Sequence, residues 1–194
     1  MSDSWDDYAE EWDGNEDAIL YSKMAFKTLV DQVSLEGLNV LDFGCGTGLL
    51  TEQISPLANK IVALDTSKKM VSILNKKNLH NVTTLSESLS GDAINNNTSL
   101  QNKFNLIVAS SVLGFIPEYE STLVLLKSLL VPNGILVQWD WLSPSKDSDL
   151  GLSKEKVETA YREAGFKVTS INKPFSLTSS KGTMTVLMAI AKNA

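Results

Sequence analysis

The sequence predicts an α/β chain organised on a doubly wound, mostly parallel sheet with helices on both faces. Three observations carry this reading. Val40, Leu41 and Phe43 form an apolar run of the kind that makes a buried strand. Gly44, Gly46 and Gly48 follow at once, and residues 49–58 resume with helical character. Then a second apolar run, Lys60–Asp65, ends in a carboxylate about twenty residues beyond the first glycine. Strand, glycine elbow and helix make the first βα turn of a nucleotide-binding sheet, where a backbone without Cβ takes positive φ cheaply and lets a ligand approach the main chain.

Composition bounds the rest. At 194 residues the chain is expected to be one domain, 1–194, with a helical N-terminal segment over 1–35 and the α/β core over 38–194. Apolar residues make up 43% and charged residues 21%, so a packed soluble core is within reach. No apolar run approaches the roughly 18–20 residues of a membrane span, and the acidic N-terminus reads as neither a signal nor a transit peptide. One cysteine and one histidine leave no disulfide framework and no zinc or haem constellation; a reducing, cytoplasmic setting and no metal are expected. The formal net charge of −6 argues against a nucleic-acid substrate, which needs a basic surface.

In chain order, residues 1–17 are strongly acidic but carry Trp5, Tyr8 and Trp12. Such rings need something to cover, so they read either as a lid or as core anchors of a docked terminal helix. A helix over 18–33 shows Ala25, Phe26, Leu29, Val30 and Val33 on one face, with Tyr21 and Lys23 near its start. At the elbow the pattern Gly44-Cys45-Gly46-Thr47-Gly48 is one residue tighter than the G-x-G-x-x-G of a dinucleotide loop. Asp65 suits a vicinal diol, because a carboxylate accepts two hydrogen bonds at once; the alternative is a cap for the next helix. That helix spans 68–78, with Ser67 as its N-cap and Met70, Val71 and Leu74 inward.

A turn at 78–81 holds His80, a bystander on the side of the sheet away from ligands, and a third strand covers 82–85. Residues 91–102 are polar and breaker-rich, which predicts a short helix plus a mobile loop. A fourth strand over 104–111 and an apolar helix over 119–130 follow, and Pro132-Asn133-Gly134 turns the chain into a fifth strand at 135–139. Trp139-Asp140-Trp141 then reads equally as a wall for an aromatic or cationic ligand or as core plus rim. The loop up to Gly151 is expected to frame a pocket. A last helix over 153–164, ended by Gly165, precedes closing strands at 166–171 and 183–191, joined by a polar Ser/Thr/Lys stretch.

The run Asp42-Phe43-Gly44-Cys45-Gly46-Thr47-Gly48 closely resembles the first motif of class I methyltransferases that use S-adenosylmethionine, and Asp65-Thr66-Ser67-Lys68-Lys69-Met70 resembles the second. The segment Trp5 to Asp13 is similar to the mobile N-terminal helix of small-molecule members, including the ubiquinone/menaquinone-biosynthesis type. Leu-Leu-Val-Pro-Asn-Gly at 129–134 resembles the family's Leu-Lys-Pro-Gly-Gly turn. The resemblance implies a Rossmann-like seven-stranded sheet with one antiparallel strand near the C-terminus. It also implies transfer of a methyl group to a small molecule, with S-adenosylhomocysteine as product.

It further assigns roles. Asp42 would orient the loop; Gly44 and Gly46 would approach the methionine moiety; Cys45 fills a small slot, and Gly48 allows helix packing. Asp65 would hold the ribose, Thr66 and Met70 would flank adenine, and Glu87 or Ser88 would read its amino group. Ala109 and Ser110 would border the methionine end, where Lys23 would either meet the carboxylate or stay in solvent. Tyr8, Trp12, Tyr21, Phe115 and Trp141 would line the acceptor pocket, with Tyr8 or Asp140 as the base. Three departures stand out: Asn105 where the family opens its fourth strand Phe-Asp, Gly114-Phe115 where small-molecule relatives carry histidines, and no Asn/Asp-Pro-Pro-Tyr/Phe signature. They leave open a cofactor-binding protein without catalysis and, more remotely, an NAD-dependent oxidoreductase.

Overall fold

The computed structural model describes residues 5–101, 103–143, 151–179 and 182–194. They fall into two compact units, residues 1–102 and 103–194.

The first unit contains α1 (Trp5–Trp12), α2 (Glu16–Val30), β1 (Asn39–Phe43), α3 (Leu49–Ile54), β2 (Lys60–Asp65), α4 (Lys68–Lys76), β3 (Val82–Ser86) and the short helices α5 (Gly91–Asn96) and α6 (Thr98–Gln101). Its three strands are parallel, with Val40 opposite Ile61 and Ile61 opposite Val82. Val40, Leu41, Ile61, Ala63 and Leu64 are buried, as a parallel strand covered on both faces requires. Helix α2 starts two residues before the predicted Ala18, because the Asn15 carboxamide oxygen accepts from the backbone N–H of Asp17 and Ala18. Its inner face is Tyr21, Ser22, Ala25 and Leu29, whereas Val30, predicted inward, is exposed. Ser67 caps α4 as predicted, accepting from the Met70 N–H at 3.2 Å. Helix α3 stops at Ile54, short of Ala58, and the chain turns there on backbone bonds from Leu57 and Ala58 to the Ile54 carbonyl. The segment expected to hold a mobile loop instead forms α5 and α6, started by side-chain caps from Ser90 to Ala93 and from Asn97 to Ser99.

The second unit contains β4 (Phe104–Ser110), a 3₁₀ turn (Leu113–Phe115), α7 (Tyr119–Leu129), β5 (Leu130–Trp141), α8 (Lys154–Glu163), β6 (Lys167–Ser179) and β7 (Gly182–Lys192). Strands β4 and β5 are parallel, and β7 is antiparallel to both β5 and β6. The turn predicted at Pro132-Asn133-Gly134 is present as an irregularity inside a longer β5. Pairing to β4 jumps from Phe104–Leu130 to Leu106–Ile135, with Asn133 at φ +61°. Asn193 ties this bend, its carboxamide nitrogen donating to the carbonyls of Leu130 and Val131. Beyond Ile171 the predicted linker is mostly strand, because Ser176 and Thr178 pair across with Thr185 and Thr183. Trp139 is fully buried, so of the two tryptophans it belongs to the core. Most of the loop expected to frame a pocket, residues 144–150, lies outside the described residues.

Candidate functional site

In the first unit the site is the turn after β1. Gly44, Gly46 and Gly48 all have positive φ, at +73°, +53° and +85°. At Gly48 a side chain is doubly excluded, since a Cβ would stand 2.3 Å from Leu74 Cδ1 of α4. The Gly44 and Cys45 N–H groups both donate to the Leu64 carbonyl, at 2.8 and 3.1 Å. The Gly46 N–H donates to Asp65 Oδ2 at 2.8 Å, while Asp65 Oδ1 accepts from the Ser67 N–H, also at 2.8 Å. The acid at the end of β2 thus ties the glycine loop to the start of α4. A carboxylate offers about four acceptor positions, so these two bonds leave it capacity for further donors.

Beneath the loop, Asp42 is 1% exposed and accepts from the Thr51 hydroxyl at 2.5 Å. Burial pushes its carboxyl up to about 7; the Thr51 hydrogen bond opposes the rise and the negative charge of Asp65 adds to it. Cys45 is buried, and its thiol is pushed well above the ordinary value first by burial and then by Asp42 and Asp65. That environment disfavours the thiolate.

Helix α1 lies at this loop. A Cβ at Gly46 would have Met70 Sδ at 3.5 Å and Trp12 Nε1 at 4.0 Å. Trp12 stacks edge-on to Trp5 with ring centroids 6.0 Å apart. Asp6 Oδ1 accepts from the Ser67 hydroxyl at 2.5 Å and from the Lys69 N–H at 3.2 Å, which holds its carboxyl below the usual range. Just past α1, Asp13 accepts from the Thr47 hydroxyl and pairs with Lys77 at 3.0 Å, which also pairs with Glu52 at 3.1 Å. Tyr8 is 43% exposed, while Tyr21 is buried in α2 and Lys23 is exposed. Thr66 and Ser88 are exposed; Glu87 is half-buried and accepts from the Asn97 carboxamide at 2.7 Å. Asp6, Asp13 and Thr47 were not singled out from the sequence. The readable signal was the acid-rich first helix opposite a Ser67 cap.

In the second unit, Ala109 is buried and Ser110 half-buried at the end of β4. Ser111 has φ +55°, and its N–H donates to the Trp139 carbonyl at 2.7 Å. Asp140, 1% exposed, accepts from the Gly114 N–H through Oδ1 at 3.0 Å and from the Gln138 carboxamide through Oδ2 at 2.7 Å. Gln138 Oε1 in turn accepts from the hydroxyls of Tyr119 and Tyr161, at 3.0 and 2.9 Å. Burial lifts the Asp140 carboxyl to about 7 against those two donors, and it lifts both phenols as well. A Cβ at Gly114 would lie 3.0 Å from Asp140 Oδ1, so the carboxylate stands where a side chain at 114 would go. Phe115 beside it is 54% exposed, and Trp141 is half-buried.

Among the described residues no helix is long and apolar enough to cross a membrane, and no group of three or more His, Cys, Asp or Glu side chains could hold a metal. A mixed seven-stranded sheet with a glycine turn and a following strand-end acid defines the Rossmann-like methyltransferase class of fold. The chain belongs to the family described as methyltransferase domain, matched over residues 20–164. It is 32% identical over 106 residues to an uncharacterized methyltransferase of Schizosaccharomyces pombe, covering 52% of this chain and 37% of that one. A mitochondrial ubiquinone biosynthesis O-methyltransferase of Dictyostelium discoideum is 47% identical over 53 residues, covering 27% and 16%. The matches thus span well under half the length of these curated relatives. Among solved structures, a SAM-dependent methyltransferase from Aquifex aeolicus shares the fold at TM-score 0.69 and 23% identity, over 87% of this chain and 88% of that one.

Proposed function

We propose that this chain transfers a methyl group from S-adenosylmethionine to a small-molecule acceptor. The observation that carries the reading is the pairing of a positive-φ glycine loop with Asp65, joined by the 2.8 Å bond from the Gly46 N–H. The residues fit such a cofactor. The open side of Gly46 is bounded by a thioether and an indole edge rather than by backbone, and Asp65 keeps acceptor capacity for a ribose diol.

Bound there, the cofactor supplies an electrophilic sulfonium methyl group. The chain's own work is to hold and to dry the site. Asp65 would accept from the ribose, and the Gly44–Gly46 backbone would lie against the methionine portion. Met70 and Thr66 would flank adenine, with Glu87 or Ser88 at its amino group. By the family resemblance Ala109 and Ser110 would border the methionine end, and Trp12 would exclude water from the loop. Holding the acceptor near attack distance accounts for much of the rate in such a displacement, and a base is needed only for an acceptor that arrives protonated. Tyr8, Tyr21, Phe115 and Trp141 are the proposed acceptor contacts, and Tyr8 is the exposed candidate for a base. The relatives named for ubiquinone biosynthesis support a small acceptor. The net charge of −6 disfavours nucleic acid, and the single cysteine supports a cytoplasmic setting.

Calorimetric titration with S-adenosylhomocysteine tests the reading. Wild-type protein is expected to bind, and Asp65→Ala to lose at least about 2 kcal/mol, the scale of charge-assisted hydrogen bonds. With labelled S-adenosylmethionine and a cell extract, label is expected in the low-molecular-weight fraction. A folded wild type that does not bind would overturn the proposal.

A further inference from the structure

Four polar side chains in the second unit form a directed chain of hydrogen bonds that the proposed methyl transfer does not use. The hydroxyls of Tyr119 on α7 and Tyr161 on α8 donate to Gln138 Oε1, Gln138 Nε2 donates to Asp140 Oδ2, and the Gly114 N–H donates to Oδ1. Every donor points toward one carboxylate. Tyr119, Gln138, Asp140 and Tyr161 are all at most 1% exposed. Each oxygen of Asp140 accepts one bond from within the fold.

We infer that Asp140 is a positioning residue: it clamps the Gly114 N–H and so fixes the 112–116 turn and its exposed Phe115, and protonation, by removing the charge on the acceptor, loosens that clamp. The role of the turn in acceptor recognition rests on the proposed methyltransferase reading; the clamp itself does not.

The geometry explains why protonation matters. A proton on Oδ2 would put two hydrogens face to face across the 2.7 Å Gln138 contact. Relief requires the Gln138 amide to reverse and both phenols to turn from donors into acceptors, which hydroxyl rotors allow. A proton on Oδ1 would oppose the backbone N–H of Gly114, which cannot reverse. Among the described residues, the groups that hold the anion are the Gly114 N–H and the Gln138 carboxamide. The turn contributes Leu113 and Phe115, β7 contributes Leu187 opposite Asp140, and α7 and α8 contribute the two phenols. Glu120 acts on the Tyr119 phenol, and Lys156 Nζ lies 5.8 Å from the centroid of that ring. Burial, raising the carboxyl to about 7, brings the loosening into an accessible pH range. The same carboxylate accounts for glycine at 114, since a Cβ there would press on Oδ1 at 3.0 Å.

The test needs no acceptor. Protein labelled with ¹⁵N-glycine gives a small set of signals, and 4-fluorophenylalanine reports on Phe115, identified by loss of its signal in Phe115→Leu. Both the Gly114 amide and the Phe115 fluorine are expected to titrate with one shared midpoint, and Asp140→Asn to flatten both. Tyr161→Phe, which removes one hydroxyl donor and little volume, is expected to raise that midpoint by about half a pH unit. A Gly114 amide that stays flat between about pH 5 and pH 9 overturns the inference. So does a Phe115 signal that ignores the Gly114 transition, or a midpoint unmoved by Tyr161→Phe. Titration of S-adenosylhomocysteine into the same labelled samples separates the two readings, because its binding reports on the glycine loop and not on this clamp.

Discussion

Asp42 beneath the glycine loop and Asp140 at the end of β5 are each 1% exposed and each raised to about 7, yet they are held in different ways. Asp42 accepts from the Thr51 hydroxyl, a rotor that can donate or accept, and it feels the charge of Asp65. Asp140 accepts from a backbone N–H and from a carboxamide already committed to two phenols. The first arrangement accommodates either protonation state by turning one hydroxyl; the second must reverse an amide and turn two phenols to do so. Burial raises both carboxyls, and the nature of the donors decides what protonation does to the backbone.

The largest expected effect that sharpens this contrast is on pH-dependent stability. Each carboxyl is raised from 3.8 to about 7 on folding, so between those values the folded state binds more protons than the unfolded chain. The stabilisation is full below the unfolded value and is lost as pH rises toward 7, on the order of 4 kcal/mol for each carboxyl. Asp6, held below the usual range, pulls the opposite way. The measurement is therefore urea unfolding at about pH 5 and about pH 8, with Asp42→Asn and Asp140→Asn each expected to flatten the slope. Next in size is Gln138→Leu, which strands two buried phenols and one carboxylate oxygen and is expected to cost about 3 kcal/mol, read from the urea midpoint. Thr51→Val, removing one donor from Asp42, is expected to cost about 1 kcal/mol; a loss as large as that of Gln138→Leu would break the comparison. Lys77→Met, at a half-buried lysine paired with two acids more exposed than itself, is expected to cost about 1 kcal/mol and to lose part of that effect in high salt.

These two sites also mark how far the sequence could be read. Asp42, the glycines and Asp65 were legible because local rules place them: a strand that runs into a turn, an acid at the next strand end, and a Ser67 cap. The fold class followed from the same regularities, and the family match supports it. The Gln138 network was not legible, because its partners lie 19 and 23 residues away on two helices. The hint was a glutamine inside the apolar run Ile135 to Trp139, a polar group that burial obliges to find partners. Element ends failed where side chains override propensity: Asn15 starts α2 early, Asn193 keeps the 130–134 bend within β5, and cross-strand threonines extend the last hairpin.

The position of β7 between β5 and β6 has a consequence for biosynthesis. Strand β5 pairs on one side with β4, and its other edge is covered by residues 182–192, made some forty residues later. A growing chain therefore carries an apolar strand with an open row of N–H and C=O groups until β7 has emerged, the kind of edge on which nascent chains pair wrongly. Variants that weaken β7 should show themselves first as lower yield of folded protein rather than as a lower melting point.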